Sequence, residues 1–199
     1  MTSSSSSSRT YPRTVACDGF NVELRLMTQA DGEAVLAFAR TLPEHDLLFL
    51  PRDISERKVV AAWVLETARG GITSVLAVRG GAVVGCATLV RDELSWSRHV
   101  GELRVVVAPE VRGQGIGQQL TQECFALAIE FGVEKLVAHM TVDQRGAIAV
   151  FQAMGFRPEA LLLNHVKDRA GKTHDIVILG HDVARFQAQM QAYGMSEAQ

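Results

Sequence analysis

Residues 101–117 read GELRVVVAPEVRGQGIG, and the fold class follows from the change of character inside this stretch. Its first part, Glu102 through Val107, is rich in β-branched residues and predicts a strand; Pro109 closes it. Glycines then alternate at 113, 115 and 117, and beyond them Leu120, Cys124, Leu127 and Ala128 recur at helical spacing to about Phe131. A glycine-rich loop between a strand and a helix has a specific physical use. Glycine permits positive φ and lets backbone N–H groups come close to a ligand. The first N–H groups of the helix have no internal partner, and the helix dipole favours an anion there. Together these make a phosphate cradle, to which Arg112 adds a permanent positive charge. No Gly-Lys-Ser/Thr follows, so this is not a Walker A loop. It is not the dinucleotide fingerprint either, because Gln118 stands where the third glycine belongs. A plain strand-to-helix turn is the bland reading of the same residues.

Outward from this stretch, strands and helices intermix. Upstream, residues 20–27 alternate partly and predict a strand. Residues 31–42 predict a helix with Val35, Leu36, Phe38, Ala39 and Leu42 on its apolar side, ended by Pro43. Asp53 with Glu56 has the spacing of a capping box for a helix carrying Val59, Val60, Trp63 and Ala68, which stops at Gly70-Gly71. Residues 74–79 and 82–91 predict a hairpin turning at Gly80-Gly81. Downstream come a strand at 135–140, a helix at 144–154 ended by Gly155, and strands at 161–167 and 174–179 joined by the turn Asp168-Arg169-Ala170-Gly171. Asp182 then caps a helix with Val183, Phe186 and Met190 on one side. The order predicts a single α/β (α+β) domain: a central mixed, mostly antiparallel sheet flanked by helices.

The bulk numbers narrow the class. The chain has 199 residues, 47% apolar and 21% charged, which suits one soluble domain with a sizeable core. A net charge of −2 gives no general attraction to nucleic acid or to an anionic membrane, and no apolar run approaches the roughly 20 residues that span a bilayer. Cys17, Cys86 and Cys124 are widely spaced and odd in number, so neither a disulfide framework nor a metal pattern is expected, and a reducing cytoplasm is the expected compartment. Ser3 through Ser8 cannot bury apolar surface. Residues 1–19 are therefore expected to be disordered or tag-like, 20–181 to form the domain, and 182–199 to add a helix and tail.

The motif Arg112-x-x-Gly115-x-Gly117, set after a β-rich strand and before an amphipathic helix, resembles the pyrophosphate-binding motif of the GNAT superfamily of N-acetyltransferases. The likeness extends over all of residues 101–117, and downstream Ala147-Ile148 and Gly155-Phe156 resemble the next motif of that family. It implies acetyl-CoA as acyl donor and transfer to a primary amine by direct attack. It also implies a site in which backbone groups of Val105, Val106 and Val107 pair with the pantetheine arm, while Arg112, Gly113, Gln114, Gly115, Ile116 and Gly117 hold the pyrophosphate. The cleft would open where the strands at Glu102 and Lys135 splay apart, with an oxyanion donor near Val106. Small-molecule amines and protein lysines are both open as acceptors, the run around Glu102 resembling bacterial protein-lysine acetyltransferases. A homodimer is compatible, with the last helix as an interface.

The chemistry asks for a base. A lysine-like amine with a pKa near 10.4 is mostly protonated at pH 7. Glu102 is the candidate acceptor of its proton; the alternative is a strand glutamate paired with Arg104 or a cross-strand neighbour. Two positions depart from the family pattern: Gln144 stands where an asparagine is common, and Phe151 where a tyrosine can protonate the leaving thiolate. Phe151 keeps a non-catalytic CoA-binding regulatory domain in play, although a thiol of pKa about 8.5 can leave unaided. No metal site is expected from His165, His174 and His181, for want of tight ligand geometry and an outer shell. Cys124, Trp63 and Phe38 read as core, and Glu44, His45 and Asp46 as a polar loop of the kind that shapes acceptor pockets in the family.

Overall fold

A computed structural model describes residues 9–192, with side chains through Gln189; the serine run and the side chain of Met190 lie outside the described residues. The strands are β1 (Arg13–Cys17), β2 (Phe20–Leu26), β3 (Ile72–Arg79), β4 (Ala82–Val90), β5 (Val100–Val107), β6 (Lys135–Thr141), β7 (Arg157–Lys167) and β8 (Thr173–Asp182). The helices are α1 (Gly32–Ala39), α2 (Arg57–Arg69), α3 (Ile116–Glu130), α4 (Arg145–Ala153) and α5 (Val183–Ala192), with a short 3-10 turn, Glu44–Leu47, between α1 and α2. All eight strands join one sheet in the order β1-β2-β3-β4-β5-β6-β8-β7, antiparallel throughout except for the parallel pair β5–β6.

Side-chain alternation along β4 sorts the helices to the two faces. A Cβ on Gly85 would meet Leu120 Cδ1 at 2.9 Å, so α3 lies on that face. Three residues on, Thr88 points the other way, where its hydroxyl meets Ser74 Oγ at 3.1 Å and Ser74 in turn accepts from Trp63 Nε1 of α2 at 3.0 Å. The core fills both layers. Leu76, Leu89, Leu103, Leu136 and Leu179 from the strands, with Val35, Ile116 and Leu120 from the helices, are almost wholly enclosed.

Two sequence expectations change. Residues 1–19 are not unstructured throughout: Arg13–Cys17 is a strand paired with β2, Val15 opposite Val22. It is fixed by a clasp that composition cannot show. Glu123 of α3 is buried and takes Tyr11 Oη at 2.8 Å, Arg9 Nη1 at 2.5 Å and Arg13 Nη1 at 3.0 Å. The second change concerns helix starts. Asp53 makes no capping box with Glu56; its carboxylate accepts from Ser55 N–H at 2.9 Å and Ser55 Oγ at 2.6 Å, and α2 begins only at Arg57. A reciprocal cap lies instead ahead of α1, where Asp31 Oδ2 accepts from Thr28 N–H at 2.7 Å. At the C-terminal end Asp182 does cap α5, accepting from Arg185 N–H at 2.8 Å.

Candidate active site

The parallel pairing of β5 with β6 covers only Val100 to Glu102 against Lys135 to Val137, and the strands part beyond it. On its other side β5 stays paired with β4 along Glu102 to Val107. Ala108 N–H donates to Val84 O at 2.9 Å. Strand alternation then turns the backbone of Val106 and Arg104 toward β4, and that of Leu103, Val105 and Val107 toward the gap. The N–H groups offered to the gap are thus those of Val105 and Val107. Val106, expected to lie near an oxyanion donor, also borders the cavity, but its backbone faces β4. A cavity of about 690 Å³ occupies the gap. Val105, Val107, Arg112, Gly115, Gly117, His139, Gln144 and Phe151 are among the residues that line it.

At the far end of β5 the chain turns through Gly113 (φ 71°) and Gly115 (φ 87°), conformations that side chains rarely adopt. Gly115 is the N-cap of α3, and the first helical bond runs from Gln119 N–H to Gly115 O at 3.0 Å. The N–H groups of Ile116 and Gly117 precede that bond and so have no partner within the helix. Gly117 is helical, and a Cβ there would stand 3.7 Å from Val107 Cγ2, so its value is open backbone rather than unusual φ. Arg112 does not project freely into the cavity. Its Nε and Nη2 donate to Val107 O at 3.0 and 2.9 Å, and Nη2 also reaches Asp46 Oδ2 at 2.7 Å. The guanidinium therefore ties the glycine loop to the 3-10 turn across the cleft. Asp18, in the turn between β1 and β2, also borders the cavity, and its N–H donates to Gln114 O at 3.1 Å.

Glu102 is held as the structural alternative anticipated: both carboxylate oxygens accept from Arg104, each at 2.7 Å. It is not among the residues that line the cavity. Its second neighbour is His139 on β6, whose Nδ1 lies 3.7 Å from Glu102 Oε1 and whose ring does line the cavity. Sequence reasoning missed His139. A lone strand histidine carries no signal until the register Glu102–Val137 places it beside the carboxylate. Gln144 stands at the N-cap of α4, its Oε1 accepting from Thr141 N–H at 3.2 Å. Phe151 is buried against Phe156, ring centroids 4.9 Å apart, and brings no hydroxyl to the cleft. His165 and His174 do not pair across the last hairpin; His174 stands opposite Val166. His181 is buried among Phe125, Phe156 and Phe186, and that burial lowers its pKa.

A splayed parallel pair beside a glycine-rich helix start is an architecture with known relatives. Residues 27–156 match the model of the acetyltransferase (GNAT) family. The crystal structure of a ribosomal-protein-alanine N-acetyltransferase from Brucella melitensis superposes with a TM-score of 0.68 at 26% identity, covering 80% of this chain and 98% of that one. A phosphinothricin acetyltransferase from Sinorhizobium meliloti, solved in complex with AcCoA, gives a TM-score of 0.69 at 22% identity over 81% of this chain and 88% of that one. A mouse relative named for N-acetyltransferase family 8 is 30% identical over 106 residues, 52% of this chain and 42% of that protein. The chain thus spans less than half the length of that curated relative. It belongs to the acetyltransferase (GNAT) family, a family of acyl-CoA-dependent acyltransferases. Its sheet, mixed and mostly antiparallel, has the form expected of that class.

Proposed function

We propose that this protein transfers the acetyl group of acetyl-CoA to a primary amine by direct attack in a ternary complex. One observation carries the reading: the unpaired edge of β5 past Glu102 leads, within one cavity, to the free N–H groups that open α3. The pantetheine arm would pair with the backbone of Val105 and Val107 as an added strand does. The pyrophosphate would rest on the amides of residues 113–117, where the helix dipole favours negative charge. Arg112 supplies charge at that loop once the anion competes with Asp46 for its guanidinium.

The thioester carbonyl would then lie in the gap between β5 and β6. The amine nitrogen attacks it, a new C–N bond forms, and the C–S bond breaks with release of CoA thiolate. His139, which borders the gap, would accept the amine proton as general base. Glu102, fixed by Arg104 and 3.7 Å from that ring, would balance the positive charge it acquires. Phe151 has no proton to give, so the thiolate leaves unaided or takes its proton from His139 or water. Proximity of amine and thioester supplies much of the acceleration. Polyamines, amino acids and protein lysines all meet this description of the acceptor.

A non-catalytic CoA-binding domain is the second reading, favoured by the buried phenyl ring of Phe151. Steady-state thiol release from acetyl-CoA, followed over a panel of amines, separates the two. At least one amine should accelerate release, and His139→Ala should slow that reaction while cofactor affinity is kept. Tight CoA binding with no acceleration by any amine, amino acid or lysine peptide would leave the binding-domain reading standing.

A further inference from the structure

Three parts of the chain distant in sequence meet at the rim of the cleft, the last of them a hairpin that gives two residues. His45 comes from the 3-10 turn Glu44–Leu47, Asp143 from the turn after β6, His174 from β8, and Asp168 from the turn between β7 and β8. His45 Nε2 lies 3.0 Å from each carboxylate oxygen of Asp143 and 3.4 Å from Thr141 Oγ1. One nitrogen or oxygen from each of His45, Asp143 and His174 falls within 4.8 Å of the other two. The two imidazole rings stand edge to face with centroids 5.2 Å apart. His174 Nε2 is bound to Asp168 Oδ2 at 2.9 Å, which leaves Nδ1 as its available nitrogen.

Two imidazoles and one carboxylate are a ligand set suited to zinc and its first-row neighbours. Ligand atoms around a tetrahedral zinc, at metal–ligand distances of about 2.0–2.1 Å, stand about 3.3 Å from one another. The His45–Asp143 separation already meets that spacing, and His174, with a ligand atom within 4.8 Å of the other two, needs to close by about 1.5 Å at most. The Asp168–His174 bond supplies what a mere surface cluster lacks: a carboxylate on the far nitrogen that fixes ring orientation and tautomer. The His174 side chain is largely enclosed, with 12% of its surface exposed, while His45 at 39% and Asp143 at 59% leave an entry path and room for a water as fourth ligand.

We propose that His45, Asp143 and His174 form a binding site for one zinc-class divalent ion, with Asp168 as the positioning carboxylate behind His174. The site does not depend on the acetyl-transfer reading, because it shares with the cleft only Asp143, which borders the cavity. A bound ion fastens the turn after α1, the turn before α4 and the last hairpin to one another at the cleft's edge. It also withdraws the Asp143 carboxylate from free solvent beside the cofactor cavity.

The test uses untagged, chelator-treated, dialysed protein titrated with zinc chloride by calorimetry, and separately with cobalt(II) by visible absorption. One equivalent should bind, the cobalt spectrum should show d–d bands of tetrahedral or five-coordinate intensity without a thiolate charge-transfer band, and the melting temperature should rise with zinc. His45→Ala and His174→Ala should each abolish saturable binding. Asp168→Asn keeps all three ligands and should weaken binding roughly 10–100-fold. His165→Ala, at an exposed strand position outside the cluster, should change nothing. No saturable zinc binding by folded protein, a thiolate band, or binding that survives both histidine substitutions would overturn the proposal.

Discussion

Glu102 shows how far one side chain's role depends on partners that sequence does not order. Its strand position was legible because a β-prone run must put alternate residues on one face. Its bidentate bond to Arg104 was an open alternative, and the adjacent His139 was not legible at all, since it arises from the strand register. Proton transfer of this kind contributes about 10²–10⁴-fold to rate. His139→Ala is therefore expected to lower kcat/KM by that order with acetyl-CoA affinity intact. Glu102→Gln should give a smaller loss that shrinks as pH rises toward the amine pKa. Stopped assays across pH check both, and equal activity of Glu102→Gln and wild type at neutral pH would remove the carboxylate from the mechanism. Phe151 and Gln144 were readable as departures from a pattern, but their consequences were not: one is packed on Phe156 and the other caps a turn.

Elements were legible where periodicity spoke and less so where side-chain bonding decides an end. The strand–loop–helix of 101–117 lies where the residues place it, because β-branched residues, alternating glycines and a helical apolar stripe all agree. The capping box was misplaced, since Asp53 is satisfied by Ser55 while Asp31 closes on Thr28. Asp31 makes a stability prediction with a definite sign. The Arg25 guanidinium, bonded to its carboxylate, together with Thr28, outweighs burial and holds its pKa down at about 2. A depressed folded pKa stabilises above the unfolded value near 3.9, and that stability is lost as pH falls through about 2. Asp31→Asn should then cost on the order of 2 kcal/mol at neutral pH by urea unfolding, with the gap to wild type closing in strong acid. Gly101 is a second test at this scale. A Cβ there would meet Leu89 Cδ1 at 2.8 Å, Leu136 Cδ2 at 3.2 Å and Val133 Cγ1 at 3.3 Å, so Gly101→Ala should destabilise by about 1–3 kcal/mol through overpacking where β5 still pairs with β6.

At the scale of the molecule, one sheet carries a cleft because a single parallel pair is left incomplete, and the turn from β1 into β2 is bonded to the glycine loop beside it. The α/β class could be read from element order, whereas β1 could not, because its anchor is the buried Glu123, more than a hundred residues away. Burial and the bond to Glu123 raise the Tyr11 pKa well above its ordinary value. Tyr11→Phe leaves a buried carboxylate short of one donor and should cost ~1–3 kcal/mol in thermal or urea unfolding. The turn that β1 makes into β2 meets the glycine loop through Asp18 and Gln114, so a loosened N-terminal strand should also weaken cofactor binding. No described helix is long and apolar enough to cross a membrane. The central claim is that acetyl-CoA is held by the start of α3. Calorimetric titration of acetyl-CoA into wild type, Gly117→Ala and Gly117→Asp tests it most directly, because position 117 is helical and has room for a Cβ. Micromolar binding that survives Ala in large part and is lost with Asp, whose charge would face the pyrophosphate, is the predicted result. Equal affinity of all three folded proteins for acetyl-CoA would contradict the account.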